Sequence, residues 1–449
     1  NAGITCPVIF EIRDGIYNEQ IKLYEISGAS ATNTITFRGE SGDSSTVELH
    51  YTTSNPSNDF TLALAGTDYI SFEDMSINRT NGSNSIIIQN GCDYLSFERN
   101  RISGHIISSS MSSDNNLTFR DIDLTGFDLN LEQADNNNAL FSTIERITLR
   151  NIIISNTSNI QGSNINGTRL ILVNDSVATI TNSQFSYDNY LGANDQAGIQ
   201  ISNSSNININ NDTLSILGNY RSRGIEVINS KSITIQNNNI TCGARRDWSM
   251  GVYLRGTESQ SLFIQDNEVF SVNGATRYGI YLINGDSIYI TNNHIQGNDL
   301  NVNGTGLALH DVPDILEVSG NTIKTFKLNG IYARCESANW IFTNNSISNI
   351  EQNGIYAEKT GGVFTKNIVS GIIAGNGIHI TASNTTVSEN RFLNIQAGTG
   401  IIVNGADNLI ANNFVEAEGV GIAKGISLQE NGSGSQVVFN SIKIGRASC

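Results

Sequence analysis

Tyrosines and arginines are the residues of this chain whose types and spacing are best suited to chemistry. A Gly-Ile or Gly-Val pair directly precedes each of four tyrosines, Tyr253, Tyr281, Tyr332 and Tyr356. The segments that lead into this region carry Arg221, Arg223, Arg245, Arg246 and Arg277, with Trp248 in one of them. Tyrosine rings offer flat faces to sugars, and the guanidinium fork binds carboxylate or sulfate groups through paired hydrogen bonds. These residue types are suited to an anionic saccharide, although tyrosines are also common strand residues that pack on one another.

A repeated phrase places these residues on one type of strand. The phrase is a Gly, then usually Ile, then alternating residues, and it begins at Gly198, Gly224, Gly251, Gly279, Gly306, Gly330, Gly354, Gly377, Gly400 and Gly425. The step between phrases is about 23–28 residues, which is the range of a solenoid repeat. Because side chains alternate along a strand, the apolar residue after the Gly points inward and the next residue points outward.

A second repeat has the form apolar-x-x-Asn-x-apolar. Its asparagines are Asn100, Asn238, Asn267, Asn293, Asn321, Asn345, Asn367, Asn390, Asn413 and Asn440. Asn tolerates the left-handed backbone of a tight corner, and stacked amides bond one another at about 4.8 Å per coil. The pattern therefore predicts an asparagine ladder. Earlier coils hold other residues at this position: Met75, Ile122, Ile152, Ser183 and Asp212.

The two repeats share one period and therefore belong to one coil. They predict an all-β, single-stranded right-handed parallel β-helix of roughly 15 coils. We expect opening coils over residues 1–60, irregular coils with longer loops over 61–190 and regular coils over 191–449, in one continuous domain. A leucine-rich repeat would need Leu at fixed offsets and a helical segment, and a left-handed β-helix would need a hexapeptide repeat. The strand-like start and the lack of a polar cap at the end favour a fragment of a longer chain.

The opening coil carries a family resemblance. Val8–Ile12 is a strand pattern, Asp14-Gly15 a turn, and Thr34–Gly39 reads as a further strand. This arrangement resembles the first coil of pectin-methylesterase-like and related right-handed β-helix proteins. The stretch from Ile12 to Val47 is similar, more specifically, to the first coil of β-helix domains in very large secreted bacterial surface proteins. The resemblance covers about the first 50 residues and implies a structural or adhesive module, secreted or on the cell surface.

The resemblance to pectate-lyase-like β-helices also implies a place for a polysaccharide groove, on the outward face of the Gly-Ile strands. The residues that we assign to this glycan-binding face are Glu226, Arg245, Arg246, Trp248, Tyr253, Arg255, Tyr281, His310, Tyr332, Arg334, Tyr356, Glu358 and His379. The alternative is architectural: stacked tyrosines pack on one another, and Arg334 above Glu358 forms a surface ion pair.

An enzymatic function is the second hypothesis, and it would be a lyase for uronic-acid polysaccharides. Its candidate residues are Arg255, Arg334, His310 and Tyr332, through neutralisation of the uronate and proton transfer. No adjacent acidic pair, polygalacturonase Asp pair, pectin-methylesterase signature or Asp cluster for calcium is found on this face, so no catalytic residue is assigned. We expect no metal and no cofactor.

Charge and hydropathy exclude several partners. The formal charge is −16 and the sequence pI about 4.7, whereas nucleic-acid binding needs a basic surface. No apolar run approaches the roughly 18–20 residues that span a bilayer. We therefore expect an extracellular glycan or cell-surface component as partner, beside the rest of a larger polypeptide, with no nucleic acid and no membrane-spanning segment.

Overall fold

The structure is a computed structural model of the 449-residue chain. It describes residues 3–52, 59–79, 84–108, 117–122, 128–131, 142–145, 148–154, 158–161, 164–173, 177–189, 196–256, 260–312, 316–334, 340–359, 361–418, 423–429 and 431–445. In these ranges every regular element is a β-strand. The side chain at Ile152, one of the expected corner positions, lies outside the described set.

The strands before residue 196 are three to six residues long, apart from Thr148–Ile154 with seven and Asn164–Val173 with ten. They are Val8–Ile12, Gly15–Asn18, Ile21–Tyr24, Ile35–Gly39, Val47–Tyr51, Phe60–Ala65, Ile70–Glu73, Ser76–Arg79, Asn84–Gln89, Ser96–Glu98, Arg101–Ser103, His105–Ser108, Thr118–Arg120, Asp128–Leu131, Ser142–Glu145, Thr148–Ile154, Ser158–Gln161, Asn164–Val173, Ala178–Thr181 and Gln184–Asn189.

The strands from residue 196 onward recur with a more even spacing. They are Gln196–Ser202, Ser205–Asn210, Thr213–Gly218, Ser222–Ile228, Lys231–Gln236, Asn239–Ala244, Trp248–Arg255, Gln260–Gln265, Glu268–Ser271, Thr276–Ile283, Asp286–Thr291, His294–Gly297, Asn303–His310, Leu316–Ser319, Thr322–Phe326, Asn329–Arg334, Trp340–Thr343, Ser346–Ile350, Asn353–Glu358, Gly362–Thr365, Ile368–Ile372, Ile378–Ile380, Thr386–Ser388, Arg391–Ile395, Thr399–Val403, Leu409–Ala411, Phe414–Glu418, Lys424–Leu428, Gln436–Val438 and Ser441–Gly445.

The chain forms two compact units, residues 1–187 with 199–213 and residues 188–198 with 214–449. In the first unit the strands pair in parallel with strands one coil away, as Val8–Ile12 does with Ile35–Gly39. The unit contains a stack of rings whose successive centroids lie 5.0–5.4 Å apart, formed by Phe10, Phe37, Phe72, Phe97 and Phe119. The stack runs from Phe10, which is 49% exposed, to the buried rings of Phe72, Phe97 and Phe119.

The second unit repeats the same parallel pairing from coil to coil. The apolar residue after the repeated Gly is buried from Ile225 to Ile401, as predicted, and only Ile426 in the last coil is partly exposed; Ile280 and Ile331, for example, have no exposed surface. The repeated Gly has a steric reason. A Cβ at Gly279 would lie 2.1 Å from Cγ2 of Ile295 and 2.6 Å from the carbonyl oxygen of Gly306. Only Gly lets these strands approach so closely.

The predicted asparagine ladder is present in the second unit, from Asn238 to Asn440. Each side-chain Nδ2 donates to Oδ1 of the next asparagine at 2.9–3.0 Å. From Asn267 onward, Nδ2 also donates to a backbone carbonyl of the preceding coil at 2.8–2.9 Å. The ladder therefore satisfies buried amides that would otherwise destabilise the interior.

One detail of the corner differs from the expectation. The left-handed residue is not the ladder asparagine but the residue before it, such as Asn292 (φ 55°), Asn344 (φ 55°) or Lys366 (φ 58°). The first turns of the coil use the same geometry at Asp74 and Asp121. At these corners the left-handed residue makes the turn. In the ladder, the asparagine after it points inward and forms the hydrogen bonds.

These features define the fold as a right-handed parallel β-helix with an asparagine ladder, which confirms the predicted fold class. The number of coils roughly matches the expected 15.

Candidate functional site

The predicted face lies on the strands that follow the repeated glycines of the second unit. Register pairs Tyr253 with Tyr281, and Tyr332 with Tyr356, one coil apart. The neighbouring outward column pairs His310 with Arg334 and Arg334 with Glu358. The two outward columns expected from the sequence are therefore aligned along the surface.

Aromatic rings form a continuous column along this face. Successive centroids lie 4.9–5.7 Å apart from Tyr253 through Tyr281, His310, Tyr332, Tyr356 and His379. His310 belongs to the neighbouring column by register, but its ring fills the gap above Ala308, which is only 1% exposed. The small side chain of Ala308 thus draws His310 into the column.

The faces of two tyrosines in this column are covered. Tyr253 and Tyr281 stack at 8° between planes, and Tyr278 stacks on Tyr281 with centroids 4.7 Å apart. The guanidinium carbon of Arg223 lies 5.3 Å from the centroid of the Tyr253 ring. Tyr253 and Tyr281 therefore engage their ring faces in packing.

More exposed aromatic rings lie beside the column, in a group that we call the arginine rim: Tyr220, Arg221, Arg245, Arg246 and Trp248. Trp248 is 39% exposed and Tyr220 is 36% exposed. The guanidinium carbon of Arg221 lies 5.0 Å from the Trp248 ring centroid, and that of Arg246 lies 5.9 Å from the Tyr220 ring centroid. Each ring therefore has a cationic backing on one face.

The backbone fixes the position of the arginine rim. The amides of Arg245 and Arg246 donate to the carbonyls of Gly218 and Asn219 at 3.0 and 2.9 Å. Arg221 Nε donates to Asp247 Oδ2 at 3.1 Å. Arg245 and Arg246 are exposed and form no ion pair with a carboxylate in the part of the chain that the structure describes. Their charges are available to a ligand.

Other arginines near the face lie close to protein carboxylates. Glu226 is 4% exposed and lies 3.6 Å from Arg223 Nη1 and 3.8 Å from Arg255 Nε. Arg277 is buried and lies 3.3 Å from Asp299. The carboxylate of Glu226, which we assigned to the binding face, therefore lies close to two arginines of that face.

The far part of the column combines a phenol, a carboxylate and an imidazole. The Tyr332 hydroxyl donates to Glu358 Oε2 at 2.7 Å, and burial together with this bond raises the pKa of Tyr332 to about 12. Arg334 lies beside Glu358 in register, as predicted, while the hydrogen bond at Glu358 comes from Tyr332. Burial lowers the pKa of His310 and of His379, which favours their neutral imidazoles at pH 7.

Two aromatic residues of the site were missed in the sequence. Tyr220 directly precedes Arg221, so its place in the arginine segment was a readable signal. Tyr278 precedes the repeated Gly279 and packs on Tyr281. The assigned residues nevertheless separate into two groups, because the rim holds Arg245, Arg246 and Trp248 and the column holds the remaining rings.

The described part of the chain contains neither a metal ligand set nor a membrane-spanning helix. Among the described residues, no group of three or more His, Cys, Asp or Glu side chains could hold a metal ion. Over the same ranges, no helix is long and apolar enough to cross a bilayer.

A parallel β-helix with this ladder and this outward face defines the class of the protein. The family model "right handed beta helix region" matches residues 168–339 and 329–448. The chain therefore belongs to the right-handed β-helix family. A sequence comparison with curated proteins finds no match.

Solved β-helix structures resemble the chain at low sequence identity. The periplasmic alginate epimerase AlgG is 13% identical, over 80% of this chain and 77% of that one, with a TM-score of 0.38. The A-module of the mannuronan C-5 epimerase AlgE6 of Azotobacter vinelandii is 11% identical, over 93% and 92%, with a TM-score of 0.28. Tailspike protein 3 of bacteriophage CBA120 is 10% identical, over 97% and 57%, with a TM-score of 0.32. Similarity at this level concerns the fold alone.

Proposed function

We propose that this chain is the β-helical module of a large secreted or cell-surface bacterial protein, with a structural and adhesive role, and that its arginine rim binds an anionic polysaccharide. The partner would be an extracellular glycan or a cell-surface component. The module would bind this glycan without transforming it.

The exposed Trp248 ring, backed by Arg221, is the observation that carries the proposal. Such a ring keeps one face for the apolar C–H side of a sugar, while the guanidinium behind it fixes its position. Arg245 and Arg246 extend from the same segment and can each bind a carboxylate or sulfate through two hydrogen bonds. The rim thus joins a stacking surface to two available positive charges.

The negative charge of the whole chain would restrict polyanion binding to the arginine rim. At a formal charge of −16, the protein repels polyanions over most of its surface, so a cationic rim would concentrate binding at one place. We expect the affinity to fall steeply with salt, because exposed charges are screened over about 8–10 Å at physiological ionic strength.

The test is binding of sodium polygalacturonate, with neutral dextran as the control polymer, by affinity electrophoresis or biolayer interferometry. The double variant Arg245→Met/Arg246→Met should bind polygalacturonate at least about tenfold more weakly, since hydrogen bonds to charged groups contribute ~1.5–3 kcal/mol each. The matched control is Arg391→Met, which removes an exposed arginine on another strand. Equal binding by both variants, or equal binding of dextran and polygalacturonate, contradicts the proposal.

A second candidate function is a lyase acting on a uronic-acid polysaccharide, favoured by the group around His310. Its neutral imidazole is suited to remove the proton at C5 of a uronate as the C4–O4 bond breaks. The hydroxyl of Tyr332 has a pKa of about 12 and is therefore protonated at pH 7. It is suited to protonate the leaving oxygen. Arg334 and Arg255 are the candidates to neutralise the uronate carboxylate.

Lyase activity would appear as an increase in ultraviolet absorbance from the unsaturated product. The assay is run on polygalacturonate and alginate with the wild type, His310→Ala and Arg334→Ala. Absorbance that rises with the wild type and not with either variant supports the lyase and contradicts a purely structural and adhesive role. Absorbance that stays constant on both polymers contradicts the lyase, and the binding assay then tests whether the arginine rim binds the polysaccharide.

A further inference from the structure

A polar cleft in the first unit lies on three neighbouring strands, Val47–Tyr51, Ser76–Arg79 and Arg101–Ser103. Its volume is about 450 Å³. Register places Glu48, Ser76 and Arg101 in one outward column, and His50, Asn78 and Ser103 in the next. The side chains that line the cleft are those of Ser45, Glu48, Ser76, Asn78, Arg101 and Ser103, together with Ile102.

One wall of the cleft is a loop fixed by its own hydrogen bonds. The Ser76 hydroxyl donates to the carbonyl of Ser44 at 2.7 Å, which ties the loop to the strand. The amide and the hydroxyl of Ser45 both donate to Asp43 Oδ1, at 2.8 and 2.7 Å. A wall held in this way loses little conformational freedom when a ligand binds.

The carboxylate of Glu48 is also fixed in position. Its Oε1 accepts a hydrogen bond from Asn78 Nδ2 at 3.1 Å and lies 3.8 Å from His50 Nδ1. His50 Nδ1 is buried and has no hydrogen-bond partner among the residues that the structure describes. Over the described ranges, Oε2 of Glu48 has no protein hydrogen bond and so can accept hydroxyl groups from a ligand.

The opposite charge lies across the cleft. Arg101 is two strands away from Glu48 in the same column, which is about 10 Å at the spacing of a β-sheet. Between them lie the hydroxyl of Ser76 and, in the neighbouring column, the amide of Asn78. The cleft therefore presents an acceptor for hydroxyl groups at one end and a donor for a carboxylate at the other.

We propose that this cleft is a second saccharide site, which takes one sugar-acid residue. The hydroxyl groups of the sugar would donate to Glu48, and its carboxylate would accept from Arg101 through the guanidinium fork. The lining has no aromatic ring, so recognition here depends on hydrogen bonds rather than on stacking. The site lies in the first unit, and binding at this site can be tested separately from binding at the arginine rim.

The experiment is saturation-transfer NMR with sodium glucuronate and, in a parallel arm, methyl β-glucopyranoside. All proteins carry Arg245→Met/Arg246→Met, so that binding at the rim does not contribute. In this background glucuronate should bind, Arg101→Met should weaken it by about tenfold, and Glu48→Gln should weaken it as well. The glucoside should bind more weakly than glucuronate and should not respond to Arg101→Met.

The matched control is Arg38→Met, which removes an exposed arginine that pairs with Glu11 at 2.8 Å on another sheet of the same unit. It should leave glucuronate binding unchanged, and thermal unfolding of each variant verifies its fold. No glucuronate signal in the rim-deficient protein overturns the proposal. Affinities that are equal in Arg101→Met, Glu48→Gln and Arg38→Met overturn it too, and a glucoside that binds as tightly as glucuronate overturns the sugar-acid assignment.

Discussion

The asparagine ladder and the ring column belong to the same unit and differ in regularity. Along the ladder, one residue type makes the same bonds in coil after coil, with Nδ2 to Oδ1 distances of 2.9–3.0 Å. Along the column, the angle between neighbouring rings varies from 8° to 82°. Repetition therefore marks architecture, and the positions where the repeat changes residue type are the places to look for binding.

Breaking the ladder in its middle should have the largest effect on stability. Asn321 is fully buried; its Oδ1 accepts from the amide and the side chain of Asn293, and its Nδ2 donates to Asn345 and to the carbonyl of Ile290. Asn321→Ala leaves these partners unsatisfied, at about 1–3 kcal/mol each. We expect a loss of at least about 4 kcal/mol, seen by calorimetry as a lower thermal midpoint.

The control for this change is Ser346→Ala, an exposed residue at the start of a neighbouring strand. Its midpoint should stay at the wild-type value. If Asn321→Ala unfolds at the same temperature as Ser346→Ala, the ladder does not stabilise the fold. The regular repeat would then not mark architecture, which contradicts the contrast drawn with the ring column.

The same corner position in the first unit offers a pH-dependent comparison. Asp212 stands there in place of asparagine, and its Oδ1 accepts from the Ser183 amide at 2.7 Å. Burial raises the pKa of Asp212 from 3.8 to about 7. The folded state therefore holds a proton that the unfolded state releases above its ordinary pKa, and this stabilisation is present at pH 4 or below and lost as pH rises towards about 7.

Asp212→Asn should remove this loss and make the protein more stable than the wild type at pH 8. The shift of about three pKa units corresponds to at most about 4 kcal/mol, measured as the difference in thermal midpoint between pH 4 and pH 8. Asp266→Asn is the control, because Asp266 is an exposed residue in the left-handed corner. A pH dependence that is the same in Asp212→Asn and in the wild type contradicts this account of the corner.

The ring column lacks a tyrosine at Ala308, where the ring of His310 takes its place, and two substitutions test this exchange. His310→Ala removes the ring that bridges Tyr281 and Tyr332, and should cost about 1–2 kcal/mol, since an aromatic pair contributes ~0.5–1.5 kcal/mol beyond its buried area. Adding Ala308→Tyr in the same chain restores a tyrosine at the register position and should recover most of the thermal midpoint. A double variant less stable than His310→Ala would show that His310 is not filling a gap.

The fold was readable from the sequence because the inward residues and the ladder asparagines repeat in identity and in spacing. The order of the outward columns followed from the same alternation, so Tyr253, Tyr281 and Arg334 were placed correctly on one face. Side-chain directions were not readable in this way. The turn of His310 over Ala308 and the position of Arg221 over Trp248 depend on contacts between coils that no single repeat encodes.

The cleft of the first unit was missed for a related reason. The corner repeat aligned Met75 with Asn100, and so the coils of Asn78 and Arg101, but neither repeat gave a position to Glu48 and His50 in the opening coil. Only the observed register places these strands side by side.

Polygalacturonate affinity compares the arginine rim, which we propose binds the polysaccharide, with the ring column, whose rings pack on one another. Polygalacturonate affinity is determined for the wild type, Trp248→Ala and Tyr253→Phe. Trp248→Ala should bind at least about tenfold more weakly, because truncating an aromatic anchor costs ~2 kcal/mol or more, whereas Tyr253→Phe should bind like the wild type, since its ring is 9% exposed. Wild-type affinity in Trp248→Ala, or an equal loss of affinity in Tyr253→Phe, would contradict the proposal that the rim binds while the column packs.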